Sequence, residues 1–153
     1  MTWSLALKNG DLSLSSSNGL DVVSNEEKLV QDLRCNLLEK MGNDDMHPDF
    51  GSLLNGGTMP NGTQHNGYIG EKDNDVTILG IQSEIARVVN NYQEKILSRA
   101  KIDKLTYGKT TLTHGEVLYD LKNISIDKYF DKVNVMISFI SAANNEQTLE
   151  ISM

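Results

Sequence analysis

The chain has a single cysteine, Cys35, in 153 residues, so it can form no intramolecular disulfide and is not a disulfide-stapled secreted scaffold. It has only two prolines, Pro48 and Pro60, and aromatic side chains make up 6% of it. Large aromatic anchors are scarce, so a core must be built mainly from aliphatic residues among the 39% that are hydrophobic. No run approaches the roughly 18–20 apolar residues of a membrane-spanning helix. Lys and Arg number 14 against 21 Asp and Glu and gather into no stripe. With a net charge of −7, that balance argues against nucleic acid and anionic lipid as partners. The opening "MTWSLALKNGD" lacks the basic and long apolar regions of a secretory signal, and the expectation is folding in a reducing cytoplasm. The length suits one domain, residues 1–153, with a core of its own.

What is present divides the chain into five stretches. The first 23 residues alternate, with Trp3, Leu5 and Leu7 on one side of a strand, a turn at "KNGD", and Leu12 and Leu14 beyond it. This predicts an extended N-terminal arm or hairpin. Ser24 followed by Glu27 predicts a capping box opening a helix over 25–41, with Leu29, Val30, Leu33, Leu37 and Met41 at helical spacing and Gly42 as its stop. From Gly42 to Asp75 nothing is periodic; seven glycines and both prolines predict a long loop. A second helix is expected from Thr77 to Arg99. Ile78, Ile81, Ile85, Val88, Val89, Tyr92 and Ile96 form its apolar stripe, and Glu84, Arg87, Asn91 and Glu94 its polar side. The rest is strand-like, beginning with "AKIDKLTYG". "GEVLYDLKNISI" has a break at Lys122–Asn123, "KVNVMISFIS" alternates Val133, Val135, Ile137 and Phe139, and "ANNE" turns into "QTLEISM". The expected fold is α+β: an extended arm and two amphipathic helices packed on a small antiparallel β-sheet.

Catalytic and metal chemistry find no specific motif. Asp44, Asp45, His47 and Asp49 include metal-ligand types, but their spacing matches no established site, and a solvated acidic turn explains them. Twenty-one acids make a two-carboxylate glycosidase pair easy to imagine, yet nothing selects one. Cys35 shares a helix face with Lys28, Gln31 and Glu39, which is a polar face rather than a nucleophile's pocket. "GKTT" at 108–111 lacks the upstream glycine of a phosphate loop. No catalytic residue, metal or cofactor is expected.

Two stretches carry a resemblance. "LLEKMGNDDMHPDFGSLL" is followed by "IQSEIARVVNNYQEKILSRAKIDKL". Together they resemble the baseplate wedge family of contractile phage tails, the sheath-initiator proteins once described as lysozyme-like, over about residues 24–140. That family has a helix ending in a Gly-Glu turn, a Pro-Asp/Glu-Phe-Gly segment, and a second helix ending Tyr-Glu-Pro-Arg-Ile. Gly42 and Pro48-Asp49-Phe50-Gly51 match the first motif, and Tyr92 and Ile96 frame the second. The departures are Gly42-Asn43 for Gly-Glu and Gln93-Glu94-Lys95 for Glu-Pro-Arg. Lys95 keeps a charge but not an arginine's bidentate fork.

The resemblance implies a structural, non-enzymatic role in a virion tail baseplate assembled in a bacterial cytoplasm. Its implied partners are other wedge proteins, the tail tube and the first sheath ring, in a sixfold arrangement, with strand addition at sheet edges starting the sheath. Gln93, Glu94 and Lys95 become the expected partner interface. Pro48, Asp49, Phe50 and Gly51 become a structural joint, with Phe50 anchored in the core. The old lysozyme-like description leaves peptidoglycan hydrolase as an alternative, and an adaptor of a non-contractile tail or cellular injection system as another.

Overall fold

The structure is a computed structural model and describes residues 2–17, 19–68, 71, 74–129 and 132–153. Among the described residues the fold is α+β, with two α-helices and sheets that are antiparallel except for one parallel pair. The arm forms as expected. Strand β1 (Trp3–Leu5) pairs antiparallel with β4 (Val22–Ser24), β2 (Leu7–Lys8) pairs with β3 (Asp11–Leu12), and Leu14 bridges to Leu20. Its apolar side faces outward: Trp3 is 66% exposed and Leu14 68%, while Ala6 is buried beneath.

Helix α1 (Asn25–Leu38) buries Leu29, Leu33 and Leu37 but stops short of residue 41. Ser24 has cap geometry without a side-chain bond, so the Ser24–Glu27 box does not form. A capping box closes instead between Thr113 and Glu116, around a short 3-10 turn at His114–Glu116. Nor does Gly42 stop α1. Glu39 caps it in extended geometry, and the chain enters β5 (Lys40–Met41). Gly42 takes φ +76 for another reason: a Cβ there would lie 2.5 Å from the Thr58 carbonyl oxygen.

The expected loop of 42–75 contains two strands, and its residues 69, 70, 72 and 73 lie outside the described ones. Strand β6 (Ser52–Thr58) runs parallel to β5 and antiparallel to β7 (Gln64–His65). Its glycines hid it from any test of periodicity, because they let backbones rather than side chains approach. At Gly57 a Cβ would lie 2.5 Å from the Met41 carbonyl oxygen.

Helix α2 (Asp75–Tyr107) is 33 residues long, or about 50 Å at 1.5 Å per residue. The Asn74 side chain caps it by accepting from the Thr77 N–H, and Gly108 ends it at φ 72. The expected strand "AKIDKLTYG" is helical, since Ala, Lys and Leu favour helix and the only breaker is the terminal glycine. Ile81, Ile85, Val88, Val89 and Tyr92 are buried as the stripe requires, but so is Glu84, expected on the polar side.

The meander matches its expectation. Strands β8 (Leu118–Lys128), β9 (Val133–Ser141) and β10 (Glu146–Ser152) form an antiparallel sheet in the order β10-β9-β8. The break anticipated at Lys122–Asn123 is a register shift between Leu121 and Asn123. Leu29, Leu33 and Leu37 of α1, Leu54 of β6, the α2 stripe and Val135, Ile137, Phe139, Leu149 and Ile151 of the sheet make one core cluster. Among the described residues no helix is long and apolar enough to cross a membrane.

The arm is tied to this core by hydrogen bonds. Gln31 of α1 donates to the Leu5 carbonyl and accepts from the Leu7 N–H, both at 2.8 Å. The Thr2 N–H and hydroxyl donate to Glu116, whose other oxygen takes the Thr113 N–H at 2.6 Å. Glu116 is 2% exposed. Burial raises its pKa, but the bonds from Thr2 and Thr113 outweigh that and hold it below its ordinary value.

Two expectations follow. Ile85 is fully buried, so Ile85→Asp forces an unpaired charge into the core and should abolish soluble folding. A soluble variant with a cooperative thermal transition by circular dichroism would disprove this placement of the helix face. Glu116 is deprotonated more easily folded than unfolded. The stability it contributes is therefore present above its ordinary pKa of 4.5 and lost as pH falls through the folded value. Urea melts from pH 7 downward should show a steeper acid loss for the wild type than for Glu116→Gln; parallel curves would contradict it.

Candidate functional site

The joint expected at Pro48–Gly51 lies where α1, β6 and α2 meet. A turn from His47 to Phe50, closed by the Phe50 N–H on the His47 carbonyl at 2.9 Å, carries Pro48 and Asp49 at the surface. Phe50 is half-buried and is not part of the core cluster, contrary to its expected role as anchor. The fixed point is Gly51. It adopts φ +94, and a Cβ there would press to 2.8 Å from the Glu39 carbonyl oxygen. Only glycine permits that backbone and that approach together.

Side chains from both helices grip the backbone beyond it. Asn36 of α1 accepts the Gly51 N–H at 2.9 Å, and the Ser52 hydroxyl donates to the Leu37 carbonyl at 2.6 Å. From α2, Glu84 accepts the Leu53 N–H at 2.6 Å. Arg87 donates to both Glu84 oxygens, at 2.6 and 2.8 Å, and to the Gly51 carbonyl at 3.2 Å. Glu84 is 6% exposed, so its carboxylate has exchanged water for one arginine and one amide. Sequence reading missed Glu84, Arg87 and Asn36 as parts of the joint. The i, i+3 spacing of Glu84 and Arg87 signals an ion pair on a helix, but not that a strand backbone lies against it.

The acidic turn divides into two separate pairs. His47 Nδ1 lies 2.8 Å from Asp44, and that hydrogen bond lowers the Asp44 pKa. Asp49 instead meets Lys95 of α2 at 2.8 Å, and that hydrogen bond lowers the Asp49 pKa. Among the described residues no three His, Cys, Asp or Glu side chains are placed to hold a metal ion. Cys35 is half-buried, and burial, then the charge of Asp32, raises its thiol pKa.

The structure thus joins a residue of the expected joint to one of the expected interface. Asp49 and Lys95 flank an open cleft of about 450 Å³, lined also by Asn91, Glu94, Ser98, Arg99 and Ile102. Both are about half exposed, so their pair is worth about 0–1 kcal/mol. Gln93 is placed otherwise. Its side-chain amide donates to the Tyr119 carbonyl of β8 at 2.7 Å, so the expectation that it is free for a partner does not hold. Glu94 and Lys95 do face solvent.

At the far side of the sheet, β10 has an edge that no strand among the described residues pairs with. Val133 and Met153 exchange both N–H···O bonds at 2.9 Å, which sets the alternation along the β9–β10 pair. Gln147, Leu149 and Ile151 therefore bond to β9. Glu146, Thr148, Glu150 and Ser152 turn their N–H and C=O groups outward.

No family model matches the chain, and no curated protein matches it. Among solved structures, it is similar to a crystal structure of a Geobacter sulfurreducens protein named "putative tail lysozyme". The TM-score is 0.54 at 15% identity, over 94% of this chain and 95% of that one. The likeness at that identity is one of fold.

The two ion pairs should respond unequally to mutation. Glu84→Ala leaves Arg87 partly buried without its partner and Leu53 with an unsatisfied N–H, at a cost of about 3–5 kcal/mol. Lys95→Glu breaks only an exposed pair and should change the melting temperature little. Equal losses in calorimetry would refute the assignment of the joint to the Glu84 side.

Proposed function

We propose that the chain is a structural component of a phage tail baseplate, joining wedge to tail tube and starting sheath assembly by strand addition. The observation that carries this reading is the free edge of β10, four outward-facing residues long, on a fold like that of the tail protein above. Outward N–H and C=O groups are a template for another chain's strand. The Pro48–Gly51 joint supports the same reading, because the resembling family carries that motif between its two helices. Glu94 and Lys95 are the partner contacts in this reading, with Asp49 holding Lys95 in place until a partner carboxylate competes for it.

The neighbour's name favours a hydrolase as the second reading. The cleft does hold two acids, Asp49 and Glu94. Glycoside hydrolysis needs one carboxyl kept protonated by an apolar, water-poor setting. Asp49 is paired with a lysine that lowers its pKa, and Glu94 is exposed, so neither residue has the setting of a general acid. That supports the structural role.

Three measurements test the proposal. The Glu150 N–H points away from β9, so Glu150→Pro removes an outward donor without breaking the β9–β10 ladder. It should fold, yet in a complemented knockout phage it should abolish sheathed tails counted by electron microscopy. Normal tails would remove strand addition at β10. In the same assay Lys95→Glu should block incorporation of the folded protein, and normal incorporation would take Lys95 out of the interface. The purified protein should not clear a cell-wall suspension; clearing that is lost in Asp49→Asn or Glu94→Gln would establish the hydrolase instead.

A further inference from the structure

The outward residues of β10 carry a charge pattern that limits what can pair with them. In chain order they are Glu146, Thr148, Glu150 and Ser152. In an antiparallel ladder the residues that turn their backbone groups away from one neighbour also share a side-chain face. Leu149 and Ile151 fill the other face and belong to the core, so these four project from the side of the sheet away from the helices. Both glutamates are exposed, and they stand about 14 Å apart along the strand at 3.4 Å per residue.

Neither glutamate is answered from within the sheet. Across the ladder Glu150 lies beside Met136 and then Ser125, and Glu146 beside Ile140 and then Asp120. Among the described residues no lysine or arginine forms an ion pair with either, and Lys122 is paired with Asp120 at 3.7 Å. An exposed carboxylate needs no partner for stability, but at a sheet edge it sets a condition on any strand that pairs there. The condition excludes a second copy of β10. Laid antiparallel in any register that pairs more than one outward residue, it would set a glutamate opposite or diagonal to another glutamate, and like charges so placed are destabilising. The other edge of the sheet, β8, is broken by two register shifts, which blunt an edge.

We propose that the β10 edge selects an extended segment of a partner protein that carries Lys or Arg at two positions four residues apart. Running antiparallel, with its backbone on the outward N–H and C=O groups, such a segment sets one cation opposite Glu150 and the other opposite Glu146. Both pairs lie on the face away from the helices, where opposite charges across a ladder are stabilising. The backbone supplies affinity and the two glutamates supply the choice of strand and its register. This inference rests on the strand-addition reading and adds to it the chemistry of the strand that is added.

The test titrates the full chain, labelled with nitrogen-15, with three nine-residue peptides of alternating Thr and Val. One has lysine at its third and seventh positions, one has glutamate there, and one has lysine at its third and sixth, on opposite faces of a strand. The first should shift the amide signals of β10 and bind about tenfold more tightly than either of the others. In the double variant Glu146→Lys, Glu150→Lys the preference should reverse to the glutamate peptide. Thr148→Pro removes an outward N–H and keeps both acids, so it should weaken the lysine peptide; if it does not fold, Ser152→Pro takes its place. Three peptides that shift β10 with equal affinity would overturn the selection and leave strand addition standing. No shift at β10 with any peptide at millimolar concentration would overturn both. Lysine-peptide binding that is unchanged in the proline variant, or that keeps its preference in the double variant, would mean attraction to the net negative chain and would also overturn the proposal.

Discussion

The Glu84 carboxylate is the constraint on which much of the molecule depends. It is buried in α2, where an unpaired charge could not remain, and its lone pairs go to the Leu53 N–H and to Arg87. Arg87 passes the same restraint to the Gly51 carbonyl, while Asn36 of α1 holds the Gly51 N–H. Three residues of backbone are thereby fixed between two helices that are far apart in sequence. The cost of leaving any of these groups unmatched makes the arrangement specific: α2 cannot slide or rotate on β6 without stranding a charge.

That grip sets what the rest of the chain is free to do. With the first half of α2 tied to β6 and packed on the sheet, its last three turns extend past the core, where Leu97, Ile102 and Leu105 stay exposed. The preceding turn brings Asp49 of the joint to Lys95, so the cleft at the base of the overhang is a consequence of the joint rather than a separate feature. On the sheet, the helices cover one face and leave the β10 edge open. The β10 edge, the end of α2 and the apolar side of the arm are thus left uncovered by the described residues.

Much of the architecture was legible from periodicity alone. The α2 stripe from Ile81 to Tyr92, the Val135–Ile137–Phe139 face and the turn into β10 are long, regular patterns, and each appears where its period places it. Ends were less legible. Asn74 and Gly108 are strong caps, but α1 ends at Leu38 because Lys40 and Met41 pair with β6, a strand that no local signal announces. Glycine made β6 invisible, since at Gly56 and Gly57 its contacts are backbone against backbone. Phe50 looked like an anchor by size and type, yet the turn that carries it leaves it half-buried.

Of the candidate site, the motif Pro48-Asp49-Phe50-Gly51 and the exposed Glu94 and Lys95 were readable as residues, while their relation was not. An alternating or helical pattern tells which residues share a face, because that follows from backbone geometry within one element. It does not tell which face meets which partner. That Trp3, Leu5 and Leu7 share a side was visible; that this side looks outward depends on Gln31 and Glu116 holding the opposite side to the core. That Glu84 and Arg87 are neighbours was likewise visible, whereas the burial of Glu84 depends on a strand whose Leu53 lies 31 residues upstream. Local geometry belongs to the order of the residues, and charge pairing across the core belongs to the packing, since it is the exclusion of water between elements that turns a surface ion pair into a fixed joint.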